Sequence, residues 1–125
     1  MPVNPTGADL KRYLAEDPGG PVVMLNLLRF KPDGGRESYA RYSAALADYL
    51  PGIGARVIYM GDTSTALVAP EGHDWDAVLL VEYPNRTAFN AMVADPEYQK
   101  VTHLRTEALT EAVLEATIPS DGHTP

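Results

Sequence analysis

Two stretches of the chain are apolar at nearly every position. They are residues 22–30 (VVMLNLLRF) and residues 76–83 (DAVLLVEY). A strand that is covered on both faces shows such a continuous run, whereas a strand with one face in water alternates apolar and polar positions. Turn residues follow both runs: KPDGG after the first and Pro84 after the second. We therefore predict a buried strand at each of these places.

Other segments follow the helical spacing of three and four residues. Thr6 caps a short N-terminal helix, which ends at the sequence PGGP of residues 18–21. Residues 36–50 carry an apolar stripe with helical period. Asn85 caps a further helix, and Asp95 begins another that continues to about residue 109. The chain is thus predicted to alternate between helices and strands.

The remaining apolar segments complete a known arrangement. Residues 55–60 predict a strand that residues 65–69 continue or pair with, and residues 112–118 predict the last strand. After the first helix the order is β-α-β-β-α-β, the split βαβ pattern of an α+β, ferredoxin-like fold. Its antiparallel sheet has the first and third strands in the centre and helices on one face. The two most apolar strands occupy those central positions.

The domain organisation is simple. We interpret residues 1–20 as a lead-in with a short helix, residues 21–118 as one ferredoxin-like domain, and residues 119–125 as a polar tail. A chain of 125 residues is long enough for one such core.

The face of the sheet that the helices leave uncovered is apolar as well. Val23, Leu25 and Leu27 of the first strand point to the side opposite Met24 and Leu28. A single two-layer domain would expose this surface as a large hydrophobic patch. Two copies related by a two-fold axis would bury it, so we predict a homodimer through the sheet face.

Composition and charge exclude several classes of function. The net charge is −7 and the Lys and Arg residues are scattered, which argues against nucleic acid as a partner. No apolar run reaches the ~20 residues that span a membrane, and the first residues lack the apolar core of an export signal. With no cysteine, disulfides and Cys-ligated metals are excluded. We expect a cytoplasmic protein.

Three segments resemble a known family. They are VVMLNLLRFK, WDAVLLVEYPNRTAFNAMVADPEYQ and HLRTEAL, within residues 20–118. The chain resembles a bacterial family of uncharacterised domains in the dimeric α+β barrel superfamily. That superfamily also includes cofactor-independent monooxygenases, muconolactone isomerases, haem-binding chlorite dismutases and ligand-sensing domains. The resemblance implies a dimer and leaves the chemistry open. Related members often place a His directly before the Arg that matches Arg105, where this chain has Leu104.

Arg105 is the most informative candidate. A helical wheel places it among apolar residues, so its side chain should point at the sheet, while His103 faces away. A buried guanidinium needs partners because its desolvation is costly. These can be a carboxylate, carbonyls, tyrosine hydroxyls or a bound anion. The alternative interpretation is a structural ion pair or a side chain that reaches water.

Asn26 is the second candidate catalytic residue. It lies among apolar residues of the first strand, and its amide requires hydrogen bonds if it is buried. It can orient a carbonyl or an oxyanion, or it can link to a neighbouring loop or to the dimer mate. Arg29 has the opposite strand parity and is predicted to be solvated or salt-bridged.

Three aromatic residues are candidate ligand contacts. Tyr39 and Tyr42 share the stripe of the helix at residues 36–50, where core packing is the alternative. Trp75 lies at the start of the third strand, where it can line the entrance of a pocket or anchor an interface. Neither the spacing of the polar loop at residues 73–76 nor any other motif matches a metal or nucleotide site. We predict neither a metal nor an organic cofactor.

Three functions remain open from the sequence. The first is a cofactor-independent small-molecule enzyme, an isomerase or monooxygenase acting on an enolic or aromatic acid, with Arg105 holding an anionic oxygen and Asn26 a carbonyl. The second is a non-catalytic domain that binds or senses a small ligand in the same pocket. The third is a purely structural dimer. A carboxylate on Arg105 with no cavity beside it would favour the third.

Overall fold

The chain alternates between helices and strands as predicted. The structure is a computed structural model and describes residues 3–120. A one-turn 3₁₀ helix (Leu50–Ile53) extends the second helix. The other elements are α1 (Gly7–Ala15), β1 (Val22–Phe30), α2 (Gly35–Tyr49), β2 (Arg56–Asp62), β3 (Ala77–Tyr83), α3 (Arg86–Ala94), α4 (Pro96–Gln99), α5 (Thr102–Ala108) and β4 (Leu109–Thr117).

The strands form one four-stranded sheet with the order β2-β3-β1-β4. All three neighbouring pairs are antiparallel. Asn26 at the middle of β1 lies opposite Leu79 of β3 and Leu114 of β4. The apolar strands β1 and β3 are therefore central, and the predicted ferredoxin-like α+β fold is confirmed.

One face of the sheet carries the core. Alternate residues of β1 are buried there, and Leu28 is completely inaccessible to solvent. Tyr39, Tyr42 and Leu46 pack from α2 onto this face, so the stripe predicted from helical spacing is the buried side of the helix. The helices thus cover one face of the sheet and enclose the space where a site can form.

The opposite face carries the other half of the apolar positions. Leu25 and Leu27 of β1 and Val78 and Leu80 of β3 are half-buried there, between the fully buried residues of the other parity. Charges on the same face form pairs near its margins, such as Arg56 with Glu82 at 3.0 Å. Both faces of the central strands are therefore apolar, as the sequence predicts.

The predicted strand at residues 65–69 is wrong. The hairpin of β2 and β3 closes at Asp62 and Ala77, and the Thr63 amide donates to the Asp76 carbonyl at 3.0 Å. β2 is an edge strand, and none of the described residues pairs with its outer side, because the chain turns back towards β3 directly after Asp62. The segment forms a loop instead, with Leu67 and Val68 91% and 97% exposed.

The predicted helix from Asp95 to residue 109 is divided, and the last strand begins earlier than expected. The Val101 amide bonds to the Tyr98 carbonyl at 3.0 Å, a tighter turn that separates α4 from α5. Leu109 already pairs with Phe30 of β1. Pairing with the end of β1 therefore competes successfully with continuation of the helix. No helix in residues 3–120 has the length and apolar composition that crossing a membrane requires.

Leu28 offers a direct test of the core. We expect Leu28→Ala to lower the free energy of unfolding by about 3 kcal/mol, because it leaves a cavity between sheet and helices. Leu14→Ala, at a position 37% exposed on α1, is the matched control and should cost less than about 1 kcal/mol. Urea unfolding measures both, and equal losses would contradict this core.

Candidate functional site

A cavity of ≈ 210 Å³ lies between the sheet and the helices. The strands contribute Asn26 to its wall, and α2 contributes Tyr39 and Tyr42. Arg105 reaches it from α5. The structure therefore brings four of the predicted site residues around one partly open space, which we call the inner cavity.

Arg105 is buried beside this cavity without an opposite charge. Its side chain is 4% exposed, and its Nη1 donates to the Val3 carbonyl and, at 2.8 Å, to Asn4 Oδ1. Its Nη2 is buried and has no hydrogen-bond partner. Among residues 3–120, no Asp or Glu forms a salt bridge with it. A guanidinium held only by neutral oxygens in an apolar layer is a strong attractor for an anion.

The tyrosines of the inner cavity are neutral hydrogen-bond donors. Burial raises the pKa of Tyr39 to about 12, and the charge of Arg105 opposes part of that rise. Burial also raises the pKa of Tyr42 well above its usual value, and the hydroxyls of Tyr42 and Tyr98 hydrogen-bond at 2.7 Å. The pKa of Tyr83 is raised by burial too. Tyr39, Tyr42 and Tyr83 therefore keep their protons, and their hydroxyls can donate to an oxyanion.

Asn26 is weakly held in its present position. It is 6% exposed, and its Nδ2 donates to the Leu79 carbonyl at 3.3 Å and to the Met24 carbonyl at 3.5 Å. Both distances are at the long end for an amide hydrogen bond. The amide can therefore turn towards a ligand oxygen at small cost.

The inner cavity has no side chain that readily accepts a proton. No His, Asp or Glu of the described part of the chain lines it. His103 is exposed on α5, as the helical wheel predicts. The arrangement is suited to holding an anion and is poorly suited to removing a proton from a neutral ligand.

Trp75 lies outside the inner cavity. Arg29 packs over it with 5.0 Å between Cζ and the ring centroid, and Arg29 also forms a salt bridge with Glu111. Arg29 is thus salt-bridged, one of the two states predicted for it. Asp76 accepts from the Phe30 amide at 2.9 Å. In residues 3–120 no group of three or more His, Asp or Glu side chains is arranged to hold a metal ion.

Three residues of the site were not identified from the sequence. Val3 and Asn4 belong to the segment interpreted as a lead-in, and Tyr98 is not among the predicted candidates. A buried Arg105 requires hydrogen-bond acceptors, but this requirement does not identify the segment of the chain that supplies them. An amide close to the N-terminus has no periodic pattern that would mark it.

Fold and site together define a ferredoxin-like α+β protein with a buried arginine beside a tyrosine-lined cavity. The chain belongs to the family described as Domain of unknown function (DUF1330), whose model matches residues 34–116. This agrees with the resemblance to an uncharacterised bacterial family. No curated protein matches the sequence.

Solved structures support this assignment. The chain is similar to RPA0582 of Rhodopseudomonas palustris, a protein of unknown function, with 31% identity, a TM-score of 0.85, and 94% of this chain and 95% of that chain covered. A dimeric ferredoxin-like protein of unknown function from Jannaschia sp. CCS1 has 12% identity and a TM-score of 0.63, covering 80% and 100%. A hydroxynitrile lyase from Passiflora edulis has 12% identity and a TM-score of 0.65, covering 86% and 100%. The last two show the fold alone.

The raised pKa of Tyr39 predicts how stability depends on pH. The unfolded chain loses the Tyr39 proton near pH 10, whereas the folded protein keeps it to about pH 12. The free energy of unfolding should therefore fall as the pH rises from 10 to 12, by about 1.4 kcal/mol per pH unit from Tyr39. Urea unfolding of the wild type and of Tyr39→Phe at pH 9 to 11 measures this change in the free energy of unfolding. Identical pH dependence in both proteins would contradict the buried, protonated phenol.

Proposed function

We propose that the inner cavity binds a small organic acid through its carboxylate or enolate oxygen, with Arg105 as the residue that holds the charge. The observation that carries the proposal is a buried arginine, 4% exposed, with neutral partners and one unpartnered nitrogen beside a partly open cavity. A purely structural arginine would be expected to have a carboxylate partner, because an uncompensated buried charge costs several kcal/mol. This favours a ligand over the structural alternative.

The other walls indicate the rest of the ligand. Aromatic rings surround the cavity, with Tyr39 and Tyr42 at a centroid distance of 5.3 Å. A flat apolar body packs well against such rings, and the Asn26 amide can donate to a second oxygen. The volume of ≈ 210 Å³ is below the range usual for drug-sized ligands. We therefore expect an acid with a single ring or a short unsaturated chain.

Turnover of such an acid is a second candidate. The phenols of Tyr39 and Tyr42 stay protonated and lie with Arg105 around the same cavity, which is an arrangement that stabilises a negatively charged oxygen. A substrate that is already ionised as an enolate needs no base from the protein. Isomerisation, in which the enolate carbon takes up a proton, fits this condition, as does oxygenation by dissolved dioxygen. Binding alone requires fewer assumptions.

Benzoate tests the proposed binding. It joins a carboxylate to one apolar ring, and benzamide is its neutral counterpart. We expect a ligand-detected NMR titration to show benzoate binding that Arg105→Met weakens by about 30-fold, because a charge-assisted hydrogen bond is lost. Arg36→Met, which removes an exposed arginine paired with Asp62, is the control and should leave binding unchanged. Equal affinity for benzamide, or normal binding by Arg105→Met, would disprove the role of Arg105.

A turnover assay separates the two candidates. Phenylpyruvate is an enolisable acid with one ring, so consumption or accelerated tautomerisation at a rate that Arg105→Met removes would support catalysis. Binding of phenylpyruvate without any change in its spectrum over hours would leave the cavity as a binding site only.

We also propose that a second copy of the chain covers the open sheet face. The half-buried apolar residues of β1 and β3 on that face support this pairing, and the similar protein from Jannaschia sp. CCS1 is described as dimeric.

Light scattering at micromolar concentration tests the pairing. We expect a dimer for the wild type and a monomer for Leu25→Asp, which places a charge in the centre of the open face. Leu14→Asp on α1 makes the same substitution on the helix side and should remain dimeric. A monomeric wild type would overturn this proposal.

A further inference from the structure

The acceptors on Arg105 come from one short segment at the start of the described chain. Residues 3–5, which we call the strap, lie beside the inner cavity, and both Asn4 and Pro5 line it. The Val3 carbonyl and Asn4 Oδ1 accept from the same nitrogen of Arg105. Asn4 Nδ2 donates to Thr106 Oγ1 at 3.0 Å. The strap thus supplies a pair of oxygens to the guanidinium, as a carboxylate would.

These oxygens are weaker partners than those of a carboxylate. Each carries only a partial charge, so its bond to the guanidinium has a charge on one side only. Asn4 is also exposed, which allows water to replace it. We infer that the strap is an exchangeable cap: Asn4 and the Val3 carbonyl hold Arg105 in the empty protein, and the carboxylate of a ligand displaces them. This inference rests on the proposed binding of an acid at Arg105.

The strap can move without undocking the helix that follows it. α1 has its own capping box, in which Thr6 and Asp9 exchange hydrogen bonds. Its far end is held by Arg86, which donates to the Tyr13 carbonyl at 2.8 Å and lies 4.7 Å from the Tyr13 ring centroid. These contacts are independent of Arg105. Release of Asn4 therefore costs its own hydrogen bonds and leaves the anchor of α1 intact.

The space beside the strap is suited to such a movement. A groove of ≈ 500 Å³ runs between α1 and the sheet, and Asn4, Pro5 and Phe89 are walls of both the groove and the inner cavity. Displacement of Asn4 and Pro5 removes part of this shared wall. A ligand longer than the inner cavity can then extend into the groove. The strap would also discriminate by charge, because a neutral ligand gains nothing from displacing it.

Two substitutions of Asn4 test the exchange, with benzoate as the probe in an NMR titration. Asn4→Ala removes one competing acceptor and should tighten benzoate binding by about threefold to tenfold. Asn4→Asp places a tethered carboxylate 2.8 Å from Arg105 and should weaken binding by at least about tenfold. Ser64→Asp adds the same charge in the exposed loop after β2 and should leave the affinity unchanged. Thermal unfolding of each variant confirms that it is folded.

The possible results distinguish the exchange at the strap from anion binding at Arg105. Tighter binding by Asn4→Ala together with weaker binding by Asn4→Asp supports the exchange. Unchanged or weaker binding by Asn4→Ala, with binding lost in Arg105→Met, overturns the exchange while the anion site stands. If neither the wild type nor Asn4→Ala binds benzoate, both the exchange and the proposed function are overturned for this ligand class.

Discussion

Arg105 carries a positive charge into the layer between the sheet and the helices, and much of the site follows from how that charge is accommodated. Neutral oxygens from Val3 and Asn4 reach one of its terminal nitrogens, and the other has no partner. In a medium of low dielectric such a charge interacts strongly with any anion that can reach it. The same low dielectric keeps the surrounding phenols protonated, so they can donate hydrogen bonds and do not compete for the cation.

The scaffold supplies the apolar surroundings that this interaction requires. β1 and β3 form a floor that is apolar on both faces, and α2 packs its tyrosines over it. The inner cavity is therefore bounded by the central strands and by α2. Part of its wall belongs to Asn4 and Pro5, and Asn4 hydrogen-bonds to Arg105 and Thr106. Asn4 thus links the recognition of charge at Arg105 to access to the inner cavity.

The fold was largely predictable because buried positions show the pattern of a covered strand or the spacing of a helix. Continuous apolar runs identified β1 and β3, and helical spacing placed Arg105, Tyr39 and Tyr42 towards the sheet. The predicted strand at residues 65–69 is wrong because apolar composition alone does not distinguish a strand from an exposed loop, which is where Leu67 and Val68 lie. Asn4 was missed because its position depends on a contact across about a hundred residues, which no local pattern reveals. Whether Trp75 touches a ligand stays a prediction, and it lies outside the cavity that holds the other candidates.

The most direct test of the role of Arg105 is a crystal structure of the protein grown with benzoate. We expect a carboxylate within hydrogen-bonding distance of Arg105 in the inner cavity, with the benzoate ring among the tyrosines and Asn4 displaced. A structure in which benzoate lies elsewhere, or in which Arg105 pairs with a carboxylate of the protein while the cavity stays empty, would contradict it.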